Sequence, residues 1–300
     1  MRYTVRVPAT SANLGPGFDC MGLALTLYNT FTASPSDSLT VTLSGMYTHH
    51  IPVTSNNLLW DSMCRLWQEI GEPEQPVALE AHNLIPPARG LGSSSTAVVG
   101  GLLLANALSG TPLSRSDLLG LACMIEGHPD NVTPAFLGGV TLTVQDDDTI
   151  LPRVLAAKPD FKVVVVIPDI LVETEKARAI LPSMVSREDL IFNTSRAGLL
   201  VNAFMSGEYE LLAVATKDRV HQNQRADLIP GMDQALQMAL ENGAYGAFLS
   251  GSGPTLLALC PEQKSAACAR AMKEALWEAR LISESVAVDV DEVGAQFVSS

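Results

Sequence analysis

The chain has 300 residues, 47% of them hydrophobic, and a formal net charge of −13. Such a chain buries a sizeable core, which excludes disorder. Its acidity argues against nucleic acid and anionic membrane as partners, because both attract clustered lysine and arginine.

Five widely spaced cysteines, Cys20, Cys64, Cys123, Cys260 and Cys268, include no Cys-x-x-Cys pair and read as free thiols in a reducing compartment. The N-terminus lacks the apolar core of a signal peptide, and no stretch of about 18 apolar residues offers a membrane span. A soluble cytoplasmic protein is therefore expected. His49-His50 has no partner at helical ligand spacing, so no zinc site is read there.

Residues 3 to 7 alternate as a strand and lead into Pro8–Gly22, a stretch of small residues, proline and glycine that predicts a structured loop. Asn13 and Asp19 are its chemically useful side chains, although either could simply bond its own backbone in a turn. Tyr28 to Ser34 and Ser38 to Ser44 alternate on either side of Pro35-Ser-Asp37, which predicts a hairpin. Asn57 opens a helix running to about Ile70, with Gly71 at its end and Trp60 and Trp67 read as packing residues. Val77 to Ala81 is a strand that delivers the chain to its most distinctive stretch.

That stretch is Ile85-Pro-Pro-Ala-Arg-Gly-Leu-Gly-Ser-Ser-Ser-Thr96, followed by an apolar run to Leu108. It reads as a phosphate-binding loop feeding a helix: Gly90 and Gly92 allow close backbone approach, and the hydroxyls stand at a helix start. Val98, Gly101, Leu102, Ala105 and Leu108 fall on one face, and Gly110 stands where a C-terminal cap is expected. An ordinary capped, buried helix is the competing reading. No Gly-Lys-Ser/Thr follows the glycines, and Ser95 occupies the place of the third glycine of a dinucleotide fingerprint.

Ser114 then caps a helix reaching Glu126, with Asp117 completing the box. Glu126, His128, Asp130 and Asn131 crowd into six residues at the helix end, as either a polar site or a capping cluster. Val140 to Gln145 is a strand, Asp146 to Asp148 a solvated turn, and a domain boundary is expected near residue 150, giving domains 1–150 and 151–300. Phe161 to Ile167 predicts a buried central strand. A short helix from Thr174 to Leu181 carries Arg178, two or three helices fill 186 to 217, and a loop over 217 to 231 carries Arg225. The last block reads helix, strand, Gly251-Ser-Gly-Pro254, strand, helix, strand.

Pro86-Pro-x-x-Gly90-Leu-Gly92-Ser-Ser-Ser95 resembles the ATP loop of the GHMP small-molecule kinases. The Pro8–Gly22 loop, Glu126-Gly-His-Pro-Asp-Asn-Val132 and the Thr174-x-x-x-Arg178 element are similar to elements of the homoserine kinase branch, and the Gly251 segment resembles the third GHMP motif, which packs beside the phosphate loop, so the resemblance spans the chain. It implies an α+β fold in two lobes: an N-terminal ATP-binding domain of the ribosomal S5 domain 2 type and a ferredoxin-like C-terminal domain. It also implies transfer of the ATP γ-phosphoryl group to the side-chain hydroxyl of L-homoserine, in threonine biosynthesis, with Mg2+ as the metal.

The same resemblance assigns the nucleotide to Pro86, Pro87, Ala88, Arg89, Gly90, Leu91, Gly92, Ser93, Ser94, Ser95 and Thr96, and the metal to Ser94 and Glu126. It assigns the substrate to Asn13, Asp19, His128, Arg178 and Arg225. Asn131 stands where some relatives carry a carboxylate base, and an asparagine cannot take a proton, which implies catalysis without a protein base and leaves the part of Asp130 open. The Pro-Tyr that often precedes the second arginine is here Asn223-Gln224, so a different local backbone is expected. Another GHMP kinase, diphosphomevalonate decarboxylase or a non-catalytic nucleotide-binding protein are the alternatives. Two arginines with Asn13 and Asp19 favour an amino acid over a neutral alcohol. Oligomeric state is left open, with a homodimer among the options.

Overall fold

The computed structural model describes residues 1–147, 149–156 and 158–298, and at His50 the backbone alone. Its first lobe is built on strands β1 (Tyr3–Ala12), β2 (Met21–Pro35), β3 (Thr40–Gly45) and β4 (Val77–Asn83). β1 runs on beyond Pro8 into the expected loop, and a register shift between Pro8 and Ala9 absorbs the missing N–H, so that only the stretch after Ala12 turns. The expected hairpin does not form. β4 lies between β2 and β3 and pairs parallel with β3. Helix α1 (Leu58–Ile70) links β3 to β4, and such a crossover is what a parallel pair requires.

Local signals hold in α1: the Asn57 side chain accepts from the Leu59 N–H at 3.0 Å, and Gly71 closes the helix at φ 72°. Trp60 and Trp67 pack edge to face in the core. α2 (Ser93–Leu108) differs from its one-faced expectation. It is buried on all sides between α1, α3 (Arg115–Glu126), α4 (Pro129–Leu137) and the sheet, as befits a helix apolar all round. Ser109 is the last half-helical residue and Gly110, at φ 78°, closes the helix as expected, with the Thr111 N–H donating to the Asn106 carbonyl at 2.7 Å. α3 carries the Ser114–Asp117 capping box.

β5 (Val140–Asp146) forms a hairpin with β6 (Thr149–Ala156), an unforeseen strand whose side chains are largely exposed. Asp148 of the expected acidic turn lies outside the described residues. The two sheets part between Ala156 and Lys162, beyond the expected boundary near residue 150, because β6 pairs back onto β5.

The second lobe comprises β7 (Lys162–Pro168), α5 (Thr174–Ala179), α6 (Arg187–Ser206), α7 (Leu212–Ala215), α8 (Gln222–Arg225) and α9 (Met232–Glu241), followed by β8 (Gly246–Leu249), β9 (Leu256–Cys260), α10 (Ser265–Glu278) and β10 (Ser283–Val288). A final strand, β11 (Gln296–Phe297), returns to β1. The order β10-β7-β9-β8, antiparallel throughout, is the ferredoxin-like arrangement, and β7 is the buried inner strand expected from its β-branched run. The whole is α+β.

One apolar cluster joins the lobes: Leu14, Met21, Leu23 and Leu91 of the first pack with Phe161, Val163, Phe248 and Leu257 of the second. At roughly 1.5–3 kcal/mol per fully buried large side chain, this shared core holds the lobes as one unit and sets the loop after β1 and the loop before α2 on its rim. All five cysteines are free thiols, and no helix among the described residues is long and apolar enough to cross a membrane.

Candidate active site

A cavity of about 540 Å³ opens on that rim. Its first wall is the loop entering α2. Ala88, Gly90 and Gly92 have φ of 54°, 74° and 64°, the left-handed region in which glycine is unstrained. A Cβ on Gly92 would stand 1.9 Å from Thr10 Oγ1, and one on Gly90 would stand 2.3 Å from the Ser250 carbonyl. Close packing therefore forbids a side chain at either glycine. Ser250 Oγ donates to the Gly90 carbonyl at 2.5 Å, so the Gly251 motif packs beside this loop, as expected.

Gly92 is the N-cap of α2, and no side chain caps it. The helix start thus presents backbone N–H groups and the positive end of its dipole to the cavity, an arrangement suited to phosphate. Thr96 Oγ1 donates to the Ser93 carbonyl and accepts from Asn29 Nδ2, while Ser94 Oγ and Ser95 Oγ each donate to Glu126 Oε1 at 2.8 Å. Pro87, Ala88, Gly90, Leu91, Gly92, Ser93 and Ser94 line the cavity; Pro86, Arg89, Ser95 and Thr96 do not. Arg89 turns away, donating to the Pro168 carbonyl and to Asp169, and so ties this loop to the second lobe.

Among the described residues no group of three or more His, Cys, Asp or Glu side chains could hold a metal. One carboxylate with a serine hydroxyl still suits magnesium, a hard cation that usually takes its remaining ligands from substrate phosphates and water. Ser94 and Glu126 are the residues that fit it.

The opposite wall is made by the loop after β1, where Asn13 and Asp19 have φ of 73° and 57°. Asn13 takes the turn role left open for it and also lines the cavity. Its Oδ1 accepts from the Asp19 N–H at 3.1 Å, which shapes the turn, and its Nδ2 donates to the Gly251 carbonyl at 3.0 Å. Arg178, half-exposed, donates from both terminal nitrogens to Asp19, at 2.7 and 2.9 Å, and this partner raises its pKa. Arg225 is buried on the one-turn helix α8, within the stretch expected to be a loop. It donates from Nε to the Ala177 carbonyl at 3.0 Å and from Nη1 to the Gly251 carbonyl at 2.9 Å. Burial and neighbouring Arg178 pull its pKa down to about 10, which leaves it charged at neutral pH. Both guanidinium groups lie 5.6 Å from the centre of the Phe18 ring.

His128 caps α4 and meets Asp130 at 2.6 Å through Nδ1, while Asn131 Oδ1 accepts from Thr10 Oγ1 at 2.8 Å. α4 itself was unforeseen, because Gly127 and Pro129 read as breakers although Pro129 occupies the first helical turn, where proline is tolerated. Sequence reasoning also missed Phe18, Thr174 and Ser252 as lining residues. Only the glycines around Ser252 signalled that its loop approaches another backbone.

Family models and solved structures agree with this geometry. The model described as "GHMP kinases N terminal domain" matches residues 57–139, and "GHMP kinases C terminal" matches residues 200–277. The chain belongs to the GHMP kinases. A relative named homoserine kinase, from Desulfitobacterium hafniense, is 49% identical over 98% of this chain and 99% of its own length. Another of that name, from a Synechocystis species, is 44% identical over 98% and 97%. The crystal structure of homoserine kinase from Cytophaga hutchinsonii superimposes with a TM-score of 0.89 at 28% identity, covering 99% of this chain and 97% of that one. L. major mevalonate kinase shares the fold at a TM-score of 0.71 and 16% identity, over 95% of each chain.

In this GHMP kinase chain the His128–Asp130 pair gives a pH-dependent stability. Burial lowers the His128 pKa, but the hydrogen bond and charge of Asp130, with Glu126 and Asp19, outweigh it and the net shift is upward. A raised histidine stabilises the fold fully below its unfolded pKa of about 6.5 and loses that contribution as pH rises through the folded value. Thermal melts of Asp130→Asn should therefore lose less stability than the wild type between pH 6 and 9. Equal pH slopes for the two proteins would remove the pair from the account.

Proposed function

We propose that this chain uses ATP to phosphorylate the side-chain hydroxyl of L-homoserine, giving O-phospho-L-homoserine for threonine biosynthesis. The observation that carries the reading is the Asp19–Arg178 ion pair, set beside buried Arg225 in the cavity that the phosphate loop lines. A zwitterionic amino acid brings both charges needed to replace that pair: its carboxylate for the guanidinium groups and its ammonium for Asp19. A sugar brings neither charge, and mevalonate brings only the negative one. The names of the relatives support the same substrate.

In the transfer, a bond forms between the acceptor oxygen and the γ-phosphorus, the bond from phosphorus to the bridging oxygen breaks, and ADP leaves. Such a transition state is loose, so positioning and charge neutralisation do most of the work. The N–H groups of Gly92 to Ser95 hold the phosphates. Ser94 and Glu126 would hold magnesium, whose chemistry is to neutralise phosphate charge. Asn13, Asp19, His128, Arg178 and Arg225 orient the acceptor. Asn131 takes no proton, and no base is needed early, because in a loose transfer the hydroxyl loses its proton late, to an oxygen of the phosphoryl group it has received.

ADP release measured side by side with homoserine, serine, mevalonate and galactose tests this. Homoserine should be turned over fastest. Fastest release with mevalonate or galactose would make the chain another GHMP kinase, and no release with any of them would make it a nucleotide-binding protein without this activity.

A further inference from the structure

His221 lies outside the cavity wall and is fully buried, yet its ring joins the two halves of the acceptor site. On one side Nε2 is 2.8 Å from the Gly15 carbonyl, in the loop that carries Asn13, Phe18 and Asp19. On the other, Nδ1 is 3.3 Å from Arg225 Nη1, and the ring packs at 5.2 Å and a tilt of 33° against Phe18, over which both guanidinium groups lie. Gly15 is pinned from behind as well, since a Cβ there would stand 2.2 Å from the Thr216 carbonyl.

These partners dictate the state of the ring. A carbonyl only accepts, so Nε2 must carry the hydrogen; a guanidinium only donates, so Nδ1 must be bare. Asp218, 3.8 Å from Nε2, does not draw a second proton onto the ring, because its carboxylate already accepts from the N–H groups of His221 and Gln222 and from Asn193 Nδ2. Burial, helped by the Arg225 charge, outweighs the upward pull of Asp218, of the Gly15 hydrogen bond and of Asp19, and leaves the His221 pKa below the ordinary histidine value, in keeping with a neutral ring.

We propose that His221 is a positioning residue for phosphoryl transfer: as a neutral imidazole it aims Arg225 at the acceptor carboxylate and locks the Asn13–Asp19 loop to the same frame. The inference rests on the reading of Arg225 as a carboxylate ligand. A residue acting in this way affects binding of the amino acid and leaves the nucleotide half alone.

The test is a double-mutant cycle with steady-state kinetics. His221→Gln keeps a donor for Gly15, but its acceptor Oε1 sits on the same carbon as that donor and away from the place of Nδ1, so the bond from Arg225 is lost. It should raise the KM for homoserine roughly tenfold, as expected for a lost hydrogen bond to a charged group, with the KM for ATP unchanged. In an Arg225→Ala background the same change should add almost nothing. Full additivity, or an unchanged homoserine KM in the single variant, overturns the proposal. If Arg225→Ala itself leaves that KM unchanged, the carboxylate reading beneath it falls, and the proposal with it. Nitrogen-15 NMR of the wild-type protein needs no variant: at neutral pH it should report His221 protonated at Nε2 and bare at Nδ1, and the opposite tautomer or an imidazolium would also overturn the proposal.

Discussion

Glu126→Gln is expected to lower kcat by roughly 10²- to 10³-fold and to raise the magnesium concentration needed for half-maximal rate. The carboxylate lies at the end of α3, with Oε1 accepting from Ser94 and Ser95 at the mouth of the phosphate loop. Glutamine keeps an oxygen for both hydroxyls and removes the charge, so the fold should survive and the melting curve should move little. The charge is what a magnesium ion would use, and metal-assisted charge stabilisation is worth several kcal/mol, at about 1.4 kcal/mol per tenfold in rate. Ser94→Ala should act in the same direction, through loss of a neutral ligand. Titrating magnesium against turnover in both variants decides the matter: wild-type rates at limiting magnesium would remove Ser94 and Glu126 from the metal site.

Arg225→Ala should be the most damaging change on the acceptor side. Its guanidinium is buried, and its loss strands the Ala177 carbonyl as well as any carboxylate it would bind, and leaves the Gly251 carbonyl to Asn13 alone. Losing one partner of a desolvated charged pair costs about 2–5 kcal/mol, which is roughly 30- to several-thousand-fold in kcat/KM for homoserine. Arg178→Ala should cost less. That side chain is half-exposed, and its removal also frees Asp19 for the ammonium group. Lysine at either position should recover only part of the loss, because a point charge cannot reproduce the planar fork. Homoserine amide, which keeps hydroxyl and amine but lacks the negative charge, should be a poor substrate for the wild type, and its disadvantage should shrink in Arg225→Ala. Equal turnover of amide and acid would mean that the arginines do not read a carboxylate.

Features decided within a few residues were legible in the chain itself. The Asn57 cap and Gly71 stop of α1, the Ser114–Asp117 box of α3 and the positive φ at Gly90 and Gly92 depend on local backbone chemistry, which residue type reports directly. The inner strand β7 was also legible, because an unbroken β-branched run has few other stable environments. Resemblance along the whole chain added the two-lobed frame.

What depended on partners distant in sequence was not legible. Pro35-Ser-Asp37 is a good turn, but whether β3 pairs with β2 was settled by β4, which occupies that edge. The pattern of α2 suggested one apolar face, and only the packing of four neighbouring elements buried it all round. β6 shows so little burial that its membership of the sheet comes from backbone pairing with β5, which side-chain pattern does not encode. The site follows the same division. Glycines and hydroxyls marked the phosphate loop, whereas the grip of Arg178 on Asp19 joins residues 159 positions apart, and that of His221 on Gly15 spans 206. Those contacts exist because a shared apolar core presses the two lobes together, and the burial that makes it is a property of the folded chain as a whole.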